Sequence, residues 1–300
     1  MSERFQEITK KFTGVGPALI TPFKEDLTVD REALEKLLIH TAKGADYFVV
    51  QGTTGESATT TLKEKQEILA FVKTHNPKNL PIVFGAGGNN TEAVIDLIGQ
   101  MDLSGVDAIL SASPHYNKPS QEGIYQHFVK IADASPVPVI LYNVPGRTAS
   151  NMTAETTLRL AQHENIIGIK EASGDLGQCM KIMANKPEEF LLISGDDLLT
   201  NAMITLGAVG VISVLANPFP EVFAEMIQNA LKGDFAKSNE NLFKLLPINP
   251  LMYEESNPIG AKEALKLQGV CDNYVRMPLL PASDNLSNRI KEMIKQYELK

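Results

Sequence analysis

The chain alternates between strand-like and helix-like segments, and this alternation is the feature that most limits its possible folds. Eight short apolar runs, each ending in residues that suit a strand end, start roughly 20 to 35 positions apart, which is the length of a βα unit. Each run is almost continuously apolar, which is typical of parallel strands covered on both faces. The predicted strands are Gly16–Pro22, Asp46–Gly52, Pro81–Gly87, Asp107–Ser113, Pro138–Asn143, Ile166–Ala172, Phe190–Gly195 and Gly210–Ala216.

Helical patterns occupy the intervals between these strands. In Asp30–Lys43 the residues Leu34, Leu37 and Leu38 fall on one face, and Asp30 suits an N-cap. The same pattern recurs in Leu62–Thr74, Asn90–Asp102 and Thr153–Gln162. Eight consecutive βα units favour a closed (β/α)8 TIM barrel over an open doubly wound sheet. We therefore predict an α/β protein whose barrel spans residues 1–219.

Residues 220–300 lack a strong strand pattern. Their apolar residues follow helical spacing instead, so we expect a C-terminal helical region packed on the barrel. The predicted helices of this region are Glu221–Lys232, Asp234–Leu246, Ile259–Leu267 and Ser287–Tyr297.

Composition argues against several classes of protein. A net charge of −8 disfavours binding to nucleic acid or to an anionic membrane. No apolar run approaches the roughly 18 residues that a membrane helix needs, and the first residues lack the apolar core of a secretory signal. Cys179 and Cys271 lie far apart, which argues against a disulfide framework and fits a reducing cytoplasm. The histidines lack metal-ligand spacing, so we expect neither a metal nor another cofactor.

The polar residues collect where the predicted strands end. A (β/α)8 barrel carries its chemistry at the carboxyl ends of its strands, so these segments are the candidate active site. They are Gly52–Ser57, Gly85–Asn90, Ser113–Asn117, Tyr142–Thr148, Lys170–Ser173 and Gly195–Asp197.

Lys170 ends the apolar run that begins at Ile166. A lysine in such a place is partly desolvated, which favours the neutral amine and prepares it to attack a carbonyl carbon. The same pattern also fits a lysine paired with a nearby carboxylate, and spacing does not separate these interpretations.

Other residues at the strand ends also allow two interpretations. Tyr142 could relay protons, or it could be a core tyrosine whose hydroxyl reaches water. Thr53 and Thr54 lie in a glycine-flanked turn that could hold a carboxylate through its N–H groups, or that could be an ordinary capped turn. Arg147 could bind a substrate carboxylate or could lie solvated at the surface.

Two segments resemble signatures of the dihydrodipicolinate synthase / N-acetylneuraminate lyase superfamily. Gly52–Ser57 resembles the first signature, and Tyr142–Arg147 through Gly168–Ala172 resembles the second. Other segments that fit are Ser120–Phe128, Ser194–Asp197, Gly210–Ser213 and Asn257–Ile259. The resemblance implies a (β/α)8 barrel with a C-terminal helical part, in agreement with the pattern above.

Within the superfamily the synthase branch is the most similar. The implied reaction is the condensation of pyruvate with L-aspartate 4-semialdehyde to 4-hydroxy-tetrahydrodipicolinate, in lysine and diaminopimelate biosynthesis. Lys170 corresponds to the Schiff-base lysine and Tyr142 to the tyrosine that shuttles protons. Thr53 corresponds to the threonine that links this tyrosine to a second one, which is Tyr116 here and enters from a neighbouring subunit. We therefore expect at least a homodimer and predict a cytoplasmic homotetramer.

The resemblance also assigns substrate-binding residues. Thr54, Ile212 and Gly195 correspond to positions around bound pyruvate, and Arg147 corresponds to the arginine associated with the carboxylate of the aldehyde. Two alternatives remain among the aldolases, N-acetylneuraminate lyase and a 2-keto-3-deoxy sugar acid aldolase. They share the Schiff-base lysine, whereas Arg147 and the paired threonines favour the synthase. An alternative of another class is a non-catalytic barrel that only binds a keto acid.

One departure from the family concerns feedback by lysine. His115 stands beside Tyr116 where a tyrosine is usual, Leu62 and Lys65 stand where inhibited relatives often carry histidine, and Ala93 replaces a glutamate. An ammonium ligand needs anionic or aromatic partners, and Lys65 would repel it. We predict weak or absent inhibition by lysine.

Overall fold

The computed structural model describes residues 2–299. Within them, eight strands form one sheet in the order β1-β8-β7-β6-β5-β4-β3-β2, which is the cyclic order expected of a (β/α)8 barrel. The strands are β1 Gly14–Pro17, β2 Phe48–Val50, β3 Ile82–Gly85, β4 Ala108–Ala112, β5 Val139–Asn143, β6 Ile166–Glu171, β7 Leu191–Ser194 and β8 Gly210–Ser213. Each of the eight predicted runs thus contains or overlaps a strand.

Helices fill the connections and the C-terminal part. They are α1 Glu3–Phe12, α2 Arg31–Thr41, α3 Leu62–Thr74, α4 Thr91–Gln100, α5 Gln121–Ala134, α6 Pro145–Thr148, α7 Ala154–Leu160, α8 Leu176–Asn185, α9 Thr200–Thr205, α10 Pro220–Leu231, α11 Phe235–Leu245, α12 Ile259–Leu267 and α13 Asp284–Gln296, with 3-10 turns at Thr53–Gly55 and Asn249–Met252. Asp30 caps α2 as predicted, because its side chain accepts a hydrogen bond from the Ala33 N–H. No helix in the described part of the chain is both long enough and apolar enough to cross a membrane.

The first strand and the last helix differ clearly from their predicted bounds. The predicted first strand, Gly16–Pro22, ends sooner because its later N–H groups bind different partners in turn: Ala18 donates to Ser213 (2.8 Å) and Leu19 donates to Val49 (2.9 Å). The chain therefore stays extended without forming a continuous ladder. The last helix begins before the predicted Ser287, since Ser283 caps it.

The described chain divides into two compact units. The first comprises the residues up to Thr13 together with Pro81–Ile212, and the second comprises Gly14–Leu80 together with the residues from Ser213 onward. The second unit therefore includes all of α10–α13. The predicted boundary between a barrel at 1–219 and a helical region at 220–300 stays a prediction.

The register of four strands in the first unit aligns their carboxyl ends. Ala112 pairs with Tyr142, Tyr142 with Lys170, and Lys170 with Ile193. Residues that pair laterally in a parallel sheet face the same side. The backbone of β4–β7 therefore presents Tyr142 and Lys170 side by side on one face.

Candidate active site

Lys170 and Tyr142 are in contact and almost inaccessible to solvent. Their exposed fractions are 6% and 8%, and Lys170 Nζ lies 4.3 Å from the centre of the Tyr142 ring. Lys170 forms no salt bridge with any residue between 2 and 299. Of the two interpretations of Lys170, the described contacts therefore fit the amine beside a phenol and not the lysine paired with a carboxylate.

Gly195 leaves the space that the Lys170 side chain occupies. A Cβ atom at Gly195 would lie 3.0 Å from Lys170 Cε and 2.7 Å from Ala172 Cβ, closer than Cβ atoms normally approach such neighbours. The Gly195 N–H donates to the Glu171 carbonyl (2.8 Å), which fixes the turn after β7 against β6. Any larger side chain here would displace the amine.

Ile212 is the last residue but one of β8 and is buried. Ser194 pairs with Val211 across β7 and β8, so the next position along each strand places Ile212 level with Gly195. The register thus adds an apolar side chain beside the turn that contacts Lys170.

Tyr116 differs from Tyr142 in being almost fully exposed. Its exposed fraction is 86%, and it follows β4 in a loop that a hydrogen bond from Asn117 Nδ2 to the Asn89 carbonyl (2.9 Å) attaches to the body of its unit. Its φ of +70° is uncommon for a residue other than glycine and costs backbone energy. A strained loop therefore holds this phenol outside the surface of its own chain.

Arg147 lies in the short helix α6 that follows β5. It is exposed, and its guanidinium forms no salt bridge with the part of the chain that the structure describes. The five donors of the planar group are thus free for an anionic ligand.

Thr53 and Thr54 lie in the second unit, in the 3-10 turn that follows β2. Thr54 is buried, and its Oγ1 accepts a hydrogen bond from Asn257 Nδ2 (3.0 Å). Gln51 and Glu56, on either side of the turn, both have positive φ angles, of 60° and 53°. This is strained backbone for residues other than glycine, and such backbone persists where the surroundings hold it.

A buried network of side chains holds this turn. Thr21 Oγ1 donates to the Gly55 carbonyl (2.6 Å) and accepts from Gln51 Nε2 (3.1 Å). Thr60 Oγ1 donates to Gln51 Oε1 (2.7 Å), which satisfies the other end of the same amide. These hydrogen bonds thus hold the strained backbone of the turn in place from both sides.

An ion pair beside the turn was not predicted. Lys262 Nζ donates to Glu56 Oε1 (2.5 Å), and both side chains are buried. The second oxygen of Glu56 accepts from the Arg276 N–H (3.0 Å), and burial lowers the pKa of Lys262 although Glu56 acts against this shift. Helix α12 also contains Glu263 and Lys266, so a charged residue in this helix was not a signal that could have singled out Lys262.

The chain matches known proteins over almost its whole length. The model of the dihydrodipicolinate synthetase family matches residues 11–297. The 4-hydroxy-tetrahydrodipicolinate synthase of Cytophaga hutchinsonii is 51% identical over 282 residues, which cover 94% of this chain and 95% of that protein. The chain belongs to the dihydrodipicolinate synthetase family. The resemblance stated from the two signatures is therefore confirmed.

Solved structures agree with this assignment to the dihydrodipicolinate synthetase family. The dihydrodipicolinate synthase of Thermotoga maritima superposes with a TM-score of 0.93 at 35% identity, covering 97% of this chain and 100% of that one. A structure described as the first monomeric dihydrodipicolinate synthase variant superposes with a TM-score of 0.90 at 36% identity, covering 97% and 99%. The predicted (β/α)8 barrel is confirmed, as is the prediction of a lyase of lysine and diaminopimelate biosynthesis.

The relatives in the dihydrodipicolinate synthetase family also bear on the alternatives. Those described above are named synthases, so the synthase interpretation is supported and neither the sugar-acid aldolases nor a keto-acid-binding barrel gains support. The roles of the individual site residues remain predictions.

Proposed function

We propose that the chain condenses pyruvate with L-aspartate 4-semialdehyde to 4-hydroxy-tetrahydrodipicolinate through an imine at Lys170. The observation that carries this proposal is the position of the Lys170 amine, buried and 4.3 Å from the centre of the Tyr142 ring. A buried amine that forms no salt bridge among residues 2–299 and lies against a phenol is well placed to attack a keto carbon.

The proposed reaction begins when the lone pair of Lys170 Nζ attacks C2 of pyruvate. The keto oxygen takes up protons and leaves as water, and a protonated imine remains. This cation accepts electrons, so a methyl proton leaves and an enamine forms. The enamine carbon then bonds to the aldehyde carbon of the second substrate, whose oxygen takes up a proton and becomes the 4-hydroxyl group. The amino group of the same substrate attacks the imine carbon, which closes the ring and releases the Lys170 amine. Tyr142 gives and takes the protons of these steps, and a positioned acid or base of this kind is worth about 10²–10⁴-fold in rate.

Five residues keep the roles that the resemblance implies. Thr53 provides a hydroxyl in the proton path, and Thr54 donates to the carboxylate of pyruvate. Ile212 and Gly195 lie around the bound pyruvate. Arg147, exposed and without a salt bridge among residues 2–299, binds the carboxylate of the aldehyde.

We also propose that the active protein is a homo-oligomer, at least a dimer and in our expectation a tetramer. The exposure of Tyr116 supports this, because a large aromatic side chain held outside its own chain is suited to enter a neighbouring subunit. One structural relative is described as monomeric, so light scattering at assay concentration is the necessary measurement.

We expect the protein to act in the cytoplasm, in accord with its two free cysteines.

The proposal of weak feedback by lysine is supported by the position of Lys65. Its Nζ donates to the Ser57 and Thr60 carbonyls, both at 2.6 Å, so the cation is fixed at the end of the 53–60 segment. Burial lowers the pKa of Lys65 to about 8, so at pH 7 the amine still carries its charge and would repel an ammonium ligand. Turnover assayed with and without sub-millimolar L-lysine tests this proposal, and clear inhibition would contradict it.

The reaction itself is tested by assaying purified protein with pyruvate and one of two aldehydes. We expect rapid turnover with L-aspartate 4-semialdehyde and little with N-acetylmannosamine. The opposite preference would assign the protein to the lyase branch, and no turnover with either would contradict the proposal.

A further inference from the structure

A buried carboxylate follows the lysine on β6. Glu171 is only 2% exposed, and both of its oxygens accept hydrogen bonds. Asn143 Nδ2 donates to both at 3.1 Å, Gln178 Nε2 donates to Oε2 at 2.9 Å, and the Ser173 N–H donates to Oε1 at 2.7 Å. All of these donors are neutral, and Glu171 forms no salt bridge with any residue from 2 to 299.

The amides around Glu171 are themselves fixed. Asn143 Oδ1 accepts from the Met152 N–H (3.0 Å), so its amide nitrogen must face the carboxylate. Asn151 joins the two amides, because its Oδ1 accepts from Asn143 Nδ2 (2.7 Å) and its Nδ2 donates to Gln178 Oε1 (2.9 Å). Glu171, Asn143, Gln178 and Asn151 therefore form one closed network, called the Glu171 network below.

The Glu171 network joins the two strands that carry the reactive pair. Asn143 and Glu171 are register partners, directly after the partners Tyr142 and Lys170. Successive residues of a strand point to opposite faces, so the network lies behind the face that carries the amine and the phenol. Side-chain hydrogen bonds thus reinforce the backbone pairing of β5 and β6 at the position that follows Tyr142 and Lys170.

We propose that Glu171, Asn143 and Gln178 are positioning residues, which hold Lys170 beside Tyr142 at the distance that imine formation requires. This inference rests on the proposed function. Burying a carboxylate without a cation costs stability, and apolar side chains would serve the fold at least as well. Charge-assisted hydrogen bonds are directional, and they fix the relative position of two strands more closely than apolar contacts do.

The substitution Glu171→Gln tests the network with almost no change in shape. It turns an NH₂ group toward the amide nitrogen of Asn143 or Gln178, so donor faces donor. We expect kcat and the single-turnover rate of borohydride-trappable imine to fall together by about tenfold to a hundredfold, as small misplacements of reacting groups cause. The KM for pyruvate should change little, because the groups that bind pyruvate are intact.

A second substitution tests the chemistry of the network by restoring it. In the double variant E171Q/Q178E the carboxylate and the amide exchange places. The carboxylate introduced at position 178 accepts from the amide introduced at position 171, and Asn143 keeps an acceptor oxygen at position 171. Gln178 Nε2 also donates to the Met152 carbonyl (3.2 Å), and this hydrogen bond is lost in the double variant, so we expect this variant to recover part of the lost imine rate. A network that served stability alone would leave the imine rate of folded protein unchanged in every one of these variants.

The matched control lies at the other end of β6. Asn165 Nδ2 donates to the carbonyls of Ala132 (2.9 Å) and Ser135 (3.0 Å), so Asn165→Asp breaks a comparable network away from the amine. We expect it to lower the melting temperature and to leave kcat near the wild-type value.

The outcomes separate this inference from the proposed function. A wild-type protein without a pyruvate adduct would refute the imine itself. A wild-type adduct together with an unslowed imine rate in Glu171→Gln would refute only the positioning role, as would equal loss of kcat in Asn165→Asp. If Glu171→Gln does not fold, Gln178→Met removes one of the three donors to Glu171 together with the acceptor of Asn151 Nδ2, and should slow imine formation more weakly. Unchanged imine formation in that variant would then refute the positioning role.

Discussion

Tyr142 and Lys170 are lateral partners on β5 and β6, and the lysine Nζ lies 4.3 Å from the centre of the tyrosine ring. The strand register creates this pair, because partners in a parallel sheet face the same side. The phenol is therefore held next to the amine by the two strands themselves.

Replacing Tyr142 with Phe should slow turnover and leave imine formation possible. The variant keeps the ring that packs against Lys170 and removes only the hydroxyl, so kcat should fall by about 10²–10⁴-fold. Steady-state kinetics and borohydride trapping measure the two effects. Tyr125→Phe is the control, since Tyr125 lies on α5 and its ring lies under the guanidinium of Arg159 on α7. Wild-type turnover in Tyr142→Phe would remove its proposed role.

Two inactive variants, one changed at Tyr116 and the other at Lys170, should restore activity to each other when they are mixed. A variant without the Tyr116 phenol, Tyr116→Phe, retains Lys170, whereas Lys170→Met retains Tyr116. If Tyr116 acts in a neighbouring subunit, mixed oligomers contain some intact sites, and about a quarter of wild-type activity should return with random pairing in dimers. Lys170→Met mixed with Tyr142→Phe is the control, because no site is restored. Failure of the first mixture to exceed the second would place Tyr116 outside the site.

The strand ends and the candidate lysine could be predicted because their signals are local. Lys170 ends an apolar run, and its neighbours in sequence suffice to place it at a strand end. Glu56 and Lys262 could not be paired in this way, since they are separated by 206 positions and only the fold joins them. The Glu171 network was missed for a related reason, because Glu171 and Asn143 meet through strand register, which the sequence of one chain does not specify.

Adding a methyl group at Gly195 should disturb the lysine directly. In Gly195→Ala the new Cβ would lie 3.0 Å from Lys170 Cε, so the side chain must move and imine formation should slow by about tenfold or more. Gly99→Ala in α4 is the matched control, because its Cβ would meet nothing within 4 Å. That variant should unfold at a slightly higher temperature, since alanine favours helix over glycine. Equal activity in both variants would contradict the role of Gly195.

His127 should make the protein less stable as the pH falls below 6.5. This side chain of α5 is buried, and burial lowers its pKa from 6.5 to about 4. Thr91 Oγ1 is hydrogen-bonded to His127 Nδ1 (2.9 Å). The other ring nitrogen, Nε2, is buried and has no hydrogen-bond partner in the described chain, so no acceptor stabilises the protonated ring. Between pH 6.5 and 4 the unfolded chain therefore binds a proton that the folded chain does not, which costs at most about 1.4 kcal/mol per pH unit.

Chemical unfolding of His127→Gln at pH 7 and at pH 5 measures this contribution. The variant should lose less stability between the two pH values than the wild type does. His75→Gln, at an exposed histidine, should keep the wild-type dependence. The same loss in all three proteins would show that His127 is not responsible.

The most direct test of the central claim is to reduce the protein with borohydride in the presence of pyruvate and to map the adduct by mass spectrometry. The account predicts one pyruvate-derived adduct, on Lys170, and none on the buried lysines Lys65 and Lys262. Lys170→Met should abolish it. An unmodified Lys170 in active protein, or an adduct at another lysine, would contradict the account.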